Sequence, residues 1–168
     1  MPSSTFNNLK TAKKQRIKIA LLNEFSRHSL AEAEVARIIK DAGISRGAFY
    51  KYFPDLKAAY LYLLREVLTV IHVPLNQTSQ HFTAMDYYQM VTQFVNRVHE
   101  SPYYHFIRNH FLTNEGLLPP QQIQPPQTDT EWAVMILCHA TIKECLLAPD
   151  KQTQALVRLK KLLQYLVN

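Results

Sequence analysis

Two short helical patterns joined by a glycine-containing turn, within Glu34–Lys57, define the architecture that this chain can adopt. Gly43 suits a left-handed turn position, and Ser45 is a good N-cap for a following helix. That second helix should be short, Arg46 to about Tyr52, because Pro54 restricts the residue before it and ends the pattern. Two helices that meet at such a turn predict a helix-turn-helix.

Apolar residues at helical spacing predict helices along most of the remaining chain. Only three glycines occur among 168 residues, which favours helices over turn-rich sheets. We therefore predict an all-α protein, with a three-helix N-terminal unit at residues 1–54 and a small helical bundle at residues 55–168. Helices are expected near residues 11–25, 32–41, 46–52, 55–73, 83–100, 102–113, 129–147 and 150–167.

Two segments are expected to contribute little to these helices. Residues 1–9 are small and polar, which predicts a frayed N-terminus. Residues 114–128 contain Gly116 and four prolines among glutamines, which predicts a connector.

The net charge of +6 is confined to the first third of the chain. Residues 1–57 contain eleven basic and five acidic side chains, whereas residues 58–168 contain eight of each. A basic segment joined to a neutral one indicates a polyanionic partner for the basic segment only.

The second helix of the motif has side chains that suit the major groove of DNA. Gly47 and Ala48 are small and allow close approach to base edges, and Arg46 can reach a guanine or a phosphate. Tyr50, Lys51 and Tyr52 can donate to phosphates. A plain helical hairpin remains the alternative, but charge, spacing and side-chain chemistry all favour DNA binding.

The stretch Ala42–Pro54 resembles the turn and recognition helix of the TetR/AcrR family of helix-turn-helix transcriptional regulators, nearly position for position. The resemblance covers about the first third of the chain. It implies that Phe49, Phe53 and Val35 form the small core of the motif. It also implies a DNA-facing set, which is Ser45, Arg46, Gly47, Ala48, Tyr50, Lys51, Tyr52 and, by analogy with a family lysine one place earlier, Lys57.

The chain departs from the family pattern just before the first helix of the motif. The family usually has two threonines where this chain has Ala33 and Glu34. A hydroxyl that faces phosphate and caps the helix is therefore missing, and Ser29 is the expected replacement cap.

The family resemblance implies a DNA-binding transcription regulator that acts as a repressor. A homodimer would hold two recognition helices about one DNA turn apart on a near-palindromic operator, and a small-molecule effector would change that spacing. One alternative is a regulator, possibly an activator, that is controlled by a protein partner. The other is a helical ligand carrier or interaction module whose basic end is incidental.

An effector pocket is expected in the second domain, which is neutral and rich in aromatic side chains. Its predicted lining residues are Tyr60, Leu63, Tyr88, Tyr104 and Trp132. Tyrosines supply apolar walls with polar ends, so a small apolar or aromatic effector is favoured. The alternative for each of these residues is simple core packing.

A leucine stripe on the last helix predicts a dimer interface. Leu156, Leu159, Leu163 and Leu166 are spaced three, four and three residues apart, as in helices that pack side by side at a shallow angle. Together with the apolar helix before it, this helix could form half of a four-helix bundle across a two-fold axis. Packing within its own chain is the alternative.

The sequence contains no motif for catalysis or cofactor binding. It has no nucleophile elbow, phosphate loop or paired catalytic carboxylates, so we predict a non-enzyme without a cofactor. No metal site is expected from the seven histidines, and Cys138 and Cys145 are expected to be buried thiols. No apolar run is long enough to span a membrane, and residues 1–9 lack a secretory core, so a cytoplasmic protein is predicted.

Overall fold

The computed structural model describes residues 2–72, 82–118, 126 and 128–167. Every regular element in these residues is helical, which confirms the predicted all-α class. The α-helices are α1 (Ser4–Asn7), α2 (Thr11–Arg27), α3 (Val35–Ala42), α4 (Arg46–Tyr52), α5 (Leu56–Ile71), α6 (Ala84–Glu100), α7 (Tyr104–Asn109), α8 (Asp129–Leu147) and α9 (Gln152–Leu166). Shorter turns follow α7, a π-helical turn at His110–Asn114 and a 3-10 turn at Glu115–Leu117, and another 3-10 turn precedes α9 at Pro149–Lys151.

The chain divides into two compact units. Unit 1 comprises Met1–Val70 and Tyr103–Leu118, and unit 2 comprises Ile71–Pro102 and Pro119–Asn168. Compactness therefore groups α7 and its following turns with the N-terminal helices. The predicted boundary after residue 54 divides the chain by function and stays a prediction.

The core of unit 1 forms around the apolar face of α2. Ile17, Leu21 and Phe25 lie on that face at helical spacing, and all three are fully buried. Phe25 packs edge-on against Tyr60 of α5, with ring centroids 5.0 Å apart. Burial of large side chains from several helices supplies most of the favourable free energy of folding for this unit.

The N-terminal segment is folded, and the prediction of a frayed end at residues 1–9 is wrong. Phe6 of α1 is 1% exposed and packs against the rings of Phe53 and Tyr62 at 5.0 Å each. The backbone N–H of Ser3 donates to the carbonyl of Tyr52, and its hydroxyl donates to the carbonyl of Lys51 at 2.6 Å. One large apolar side chain in a polar segment is enough to anchor it.

The start of α3 is stabilised by Glu24 of α2. Ser29, the expected cap, instead donates through its hydroxyl and backbone N–H to Glu32, so that expectation is wrong. The carboxylate of Glu24 accepts a 2.7 Å hydrogen bond from the backbone N–H of Glu34, the residue at the N-cap of α3. It also accepts hydrogen bonds from the guanidinium of Arg37. Glu24 thus fixes the residue before α3 and the side chain of Arg37, while the side chain of Glu34 makes no capping hydrogen bond.

Two asparagines connect α7 and its π-helical turn to the α2–α3 region. Asn109 donates from its amide nitrogen to the carbonyls of Phe25 and His28, at 3.0 Å each. Asn114 is fully buried and its side-chain oxygen accepts a 2.6 Å hydrogen bond from the backbone N–H of Leu30. These bonds satisfy backbone groups in the end of α2 and the loop after it, groups that would be costly to leave unpaired.

Unit 2 is built from α6, α8 and α9. A capping box starts α6, because Thr83 accepts from the backbone N–H of Asp86 and Asp86 accepts from that of Thr83. Thr128 caps α8 by accepting from the backbone N–H of Glu131. The core is aliphatic and thiol-rich, and its buried members are Val91, Val95, Val134, Cys138, Cys145, Ala155, Leu156, Leu159 and Leu163.

The leucine stripe of α9 belongs to this core, which corrects its assignment to a dimer interface. Leu159 and Leu163 are at most 1% exposed and Leu156 is 8% exposed, all within a single chain. Leu166 is half-buried and packs against the same cluster. The spacing identified the apolar face of α9 correctly, but α6 and α8 of the same chain cover it. The alternative of packing within the chain is the one the structure supports.

The predicted connector at residues 114–128 falls largely outside the described residues, since residues 119–125 and 127 are not described. The first residues of this segment form helical turns, whereas a connector without regular structure was predicted. Asn114 ends the π-helical turn and Glu115–Leu117 forms the 3-10 turn.

Candidate nucleic-acid interface

The turn before α4 has the predicted local structure. Gly43 ends α3 with φ +61° and ψ +46°, a left-handed conformation in which glycine has no Cβ to clash. Ser45 is the N-cap of α4, and its hydroxyl accepts from the backbone N–H of Ala48 at 3.1 Å. The bounds of α4, Arg46–Tyr52, match those expected from the sequence.

Two faces of α4 differ in burial and in chemistry. Phe49 is fully buried and packs at 5.7 Å against Phe53, which follows the helix. The opposite face is exposed to solvent and presents Ser45, Arg46, Gly47, Tyr50 and Lys51, and Ala48 is half-buried beside it. A short helix seated on aromatic rings can therefore present a hydroxyl, a guanidinium and an ammonium group on one side.

Arg46 and Tyr50 lie one turn apart on this exposed face and contact each other. The guanidinium of Arg46 lies 5.6 Å from the centroid of the Tyr50 ring and donates to its hydroxyl at 3.4 Å. The contact restricts the rotamers of a long side chain, so less conformational entropy is lost when Arg46 binds a partner.

Tyr52 differs from the expectation for a DNA-facing residue. It is 5% exposed, and its ring meets that of Phe6 edge-on at 5.8 Å. The ammonium of Lys13 lies 5.7 Å from the ring centroid. The ring of Tyr52 thus belongs to the core beneath α4, because it lies three residues after Phe49 on the same helical face.

Lys57 lies in the first turn of α5 and is exposed. Its ammonium donates to the carbonyl of Leu117 at 3.3 Å. Nearby, Asp55 accepts from the backbone N–H of Ala58 at 2.6 Å. An open cleft of about 540 Å³ lies here, and its lining includes Tyr50, Lys57 and Leu117. Two of the three ammonium protons of Lys57 remain for another acceptor.

Glu24 is an important residue of this unit that the sequence analysis did not identify. Burial raises the pKa of Glu24, but the hydrogen bonds from Arg37 and from the backbone N–H of Glu34, together with the Arg37 charge, outweigh burial and leave the pKa below its usual value. Glu24 is therefore ionised and fixed between α2 and α3. A detectable signal existed, because Glu24 lies between Leu21 and Phe25 on the apolar face of α2, where an acid needs a partner.

The five predicted pocket residues fall in different units. Tyr60, Leu63 and Tyr104 belong to unit 1, whereas Tyr88 and Trp132 belong to unit 2. Tyr60 and Leu63 are fully buried, Tyr88 and Tyr104 are half-buried, and Trp132 is 58% exposed. The Tyr60 hydroxyl is within 2.9 Å of His110 Nδ1 and accepts from the amide of Asn114 at 3.4 Å. The assignment of these residues to one pocket stays a prediction.

The part of the chain that the structure describes contains neither a group of metal-ligating side chains nor a membrane-spanning helix. No described group of three His, Cys, Asp or Glu side chains could hold a metal ion. None of the described helices is long and apolar enough to cross a membrane. Cys138 and Cys145 are buried free thiols, and burial raises the pKa of Cys138 to about 11.

Part of the chain that contains this motif matches a known family model. Residues 20–58 match the family model described as bacterial regulatory proteins, tetR family. The fold is similar to that of a TetR family transcriptional regulator from Chloroflexus aurantiacus J-10-FL, with a TM-score of 0.57 and 21% identity over 99% of this chain and 96% of that chain. A TetR transcriptional regulator from Rhodococcus sp. RHA1 gives a TM-score of 0.47 and 16% identity over 92% and 96%. No curated protein sequence matches this chain.

Proposed function

We propose that this chain is a DNA-binding transcriptional regulator of the TetR family. In this proposal it acts as a homodimeric repressor that a small-molecule effector releases from its operator. The observation that carries the DNA-binding part is the exposed face of α4. That face presents Arg46, Tyr50 and Lys51 from a short helix held by a glycine turn and a serine cap. Ser45, Gly47 and Ala48 contribute small side chains at its N-terminal end.

Each of these residues has a distinct role in the proposed complex. Arg46 binds a guanine edge or a phosphate, with Tyr50 holding its guanidinium in place. Lys51 and Lys57 bind phosphates and set the position of the helix along the groove. Tyr52 acts indirectly, by seating α4 on the core.

Dimerisation occurs through the exposed apolar face of α8 and α9, with a second copy of this chain as the occupant. Trp132 and Ile136 lie one turn apart on α8 and are 58% and 52% exposed, and Val157 and Tyr165 of α9 are 50% and 82% exposed. Met135 and Leu162 lie on the same helices and are also exposed. So much exposed apolar surface on two adjacent helices marks an association site. A two-fold dimer also suits a near-palindromic operator.

Sedimentation of matched variants tests the dimer. Trp132→Glu with Tyr165→Glu should convert a dimer to a folded monomer at micromolar concentration, since charge would enter a dry interface. The control is Val70→Glu with Leu112→Glu, which places the same charges on apolar residues of α5 and the π-helical turn that are 56% and 54% exposed. A native monomer at this concentration contradicts the proposal.

The effector is a small, largely apolar or aromatic molecule that binds beside Tyr88. Tyr88 is half-buried, packs against the core of unit 2 and lies 5.4 Å beneath the ammonium of Lys160. The ligand must bind the free and DNA-bound states unequally, because only differential affinity shifts an equilibrium. The competing proposal is control by a protein partner, and the full burial of Tyr60 and Leu63 favours it, since neither offers open pocket surface.

Selection of bound duplexes from a random DNA pool, followed by a small-molecule screen, tests the whole proposal. We expect a two-fold-related site, and affinity that falls steeply with salt, as phosphate contacts require. A true effector should release this DNA and also raise the melting temperature of the free protein. Tyr88→Ala should abolish release and spare DNA binding. Specific DNA binding with no releasing compound would support the protein-partner alternative.

A further inference from the structure

The N-terminal segment Ser3–Lys14, which we call the arm, carries three positive charges that lie outside the recognition helix α4. Lys10 is exposed, and Lys13 and Lys14 are half-buried. The sequence contains no acidic residue before Glu24, so the charge of the arm is not neutralised within its own segment.

The arm is attached to the C-terminal end of α4. The hydroxyl and N–H of Ser3 donate to the last carbonyls of that helix, those of Lys51 and Tyr52, at 2.6 and 3.0 Å. The ring of Phe6 meets that of Tyr52, over which the ammonium of Lys13 also lies. Lys51, exposed at the end of α4, therefore lies close to the start of the arm.

Lys13 and Lys14 of the arm each contact a neighbouring group, and Lys14 keeps N–H donors that can bind an anion. The ammonium of Lys14 donates to the carbonyl of Asn7 at 2.6 Å, which fixes the end of α1 against α2. An ammonium group has three protons, so two remain available to an anion. Lys18, one turn further along α2, differs because it pairs with Glu66 at 3.1 Å.

We infer that the arm is a second DNA-binding surface, in which Lys10, Lys13 and Lys14 bind the phosphate backbone that flanks the site of α4. This inference rests on the proposed function, because it requires α4 to bind DNA. The N-terminal residues of a recognition helix contact base edges. The C-terminal end of α4, to which the arm is attached, would therefore lie nearer to the phosphates at the edge of the groove. The arm and the exposed face of α4 are both positively charged and lie next to each other. A nucleic-acid phosphate backbone has the negative charge and the length to bind both.

Contacts to phosphates predict a defined change in salt dependence. Lys10→Gln with Lys14→Gln, in the full chain, removes two phosphate contacts from each protomer of the dimer. The slope of log affinity against log salt should therefore fall by about 3.6, at about 0.9 per phosphate contact. The loss of affinity between 50 and 200 mM salt should then be about a hundredfold smaller than for the native chain. Affinity should fall by the same factor on the selected site and on a scrambled duplex, since phosphates carry no sequence information.

Three further variants separate charge from structure. Lys10→Arg with Lys14→Arg should restore the native slope, because it keeps both charges. Arg97→Gln with Lys151→Gln, which removes two exposed basic side chains of unit 2, should leave the slope unchanged. Lys10→Gln alone changes one exposed side chain in each protomer and should lower the slope by about 2, which tests the inference even if the double variant unfolds.

The outcomes distinguish this inference from the proposed function. A native slope in both glutamine variants of the arm, with steep salt dependence in the native chain, overturns the arm as a DNA-binding surface. Native protein whose duplex binding is insensitive to salt overturns the proposed function itself.

Discussion

Both units bury an apolar core, and unit 1 adds to its core several hydrogen bonds between side chains and distant backbone groups. In unit 1, side chains satisfy backbone groups far away in sequence, as Ser3 does at the end of α4, Glu24 at the start of α3, and Asn114 at Leu30. In unit 2, the core consists of Val, Leu, Ala and Cys side chains contributed by α6, α8 and α9. Hydrogen bonds are directional and specify orientation, whereas apolar burial rewards area without direction.

This difference matches what each unit is proposed to do. A recognition helix must be held in one orientation to bind base edges, and polar contacts from α1 and α2 hold it and its partner helix α3. Unit 2 leaves Trp132, Ile136 and Tyr165 exposed, and association can bury them in a second copy.

The largest effect is expected from the core of unit 2. Leu159→Ala removes a side chain that is 1% exposed and should lower the free energy of unfolding by about 2–5 kcal/mol. Leu112→Ala, at a leucine that is 54% exposed, should change it by less than about 0.5 kcal/mol. Denaturant unfolding of both variants measures this. Equal losses would show that burial of the α9 stripe does not stabilise unit 2.

A smaller effect, with a characteristic pH dependence, is expected at Glu24. Its pKa is lowered in the folded chain, so its contribution is complete above the unfolded pKa near 4.5 and is lost as pH falls through the folded value. Glu24→Gln should cost about 1.5–3 kcal/mol at pH 7, the range for hydrogen bonds to charged groups. Unfolding curves from pH 7 to 3 should show native and variant converging below about pH 4.5.

Glu66→Gln is the matched control for this titration, because Glu66 forms an ion pair with Lys18 while its side chain is 43% exposed. Exposed pairs contribute at most about 1 kcal/mol. If the stability of Glu24→Gln depends on pH as strongly as that of the native chain, the ionised carboxylate of Glu24 does not stabilise unit 1.

A third, comparable or smaller effect is expected at Asn114. Asn114→Ala leaves the backbone N–H of Leu30 without its buried acceptor and should cost about 1–3 kcal/mol. Asn114→Asp keeps an acceptor for that N–H, but it buries a carboxylate and loses the amide donor to Tyr60, so it should not restore stability at pH 7. Asn96→Ala, on the exposed face of α6, is the control in unit 2. Equal stability of the Asn114→Ala and native chains would show that the hydrogen bond of Asn114 does not stabilise unit 1.

The smallest effect on stability, but a clear one on DNA binding, is expected on the exposed face of α4. Arg46→Ala should weaken specific DNA binding by about 1–3 kcal/mol, since it loses a base or phosphate contact. Tyr50→Phe should weaken it less, because only the hydroxyl that holds Arg46 is lost. Arg97→Ala, at an exposed arginine of unit 2, should leave binding unchanged. Native affinity in both α4 variants would place the DNA contacts elsewhere.

Much of the fold and of the candidate interface could be predicted from local chemistry. The bounds of α4, the left-handed Gly43 and the Ser45 cap depend on residues within a few positions of one another, and the structure contains all three. Helical spacing likewise identified the apolar faces of α2 and α9. Steric and capping preferences act over one turn of helix, so the sequence by itself is sufficient to determine them.

Only the tertiary structure decided which partner each surface meets. Spacing marked Leu159 as apolar, but the position of α6 and α8 determined that its partners lie within the same chain. The backbone before α3 is held by Glu24, ten residues before Glu34, and the N-terminal segment is ordered by contact of Phe6 with Phe53 and Tyr62. Periodicity records which face of a helix avoids water, whereas the identity of the neighbour depends on how distant segments pack.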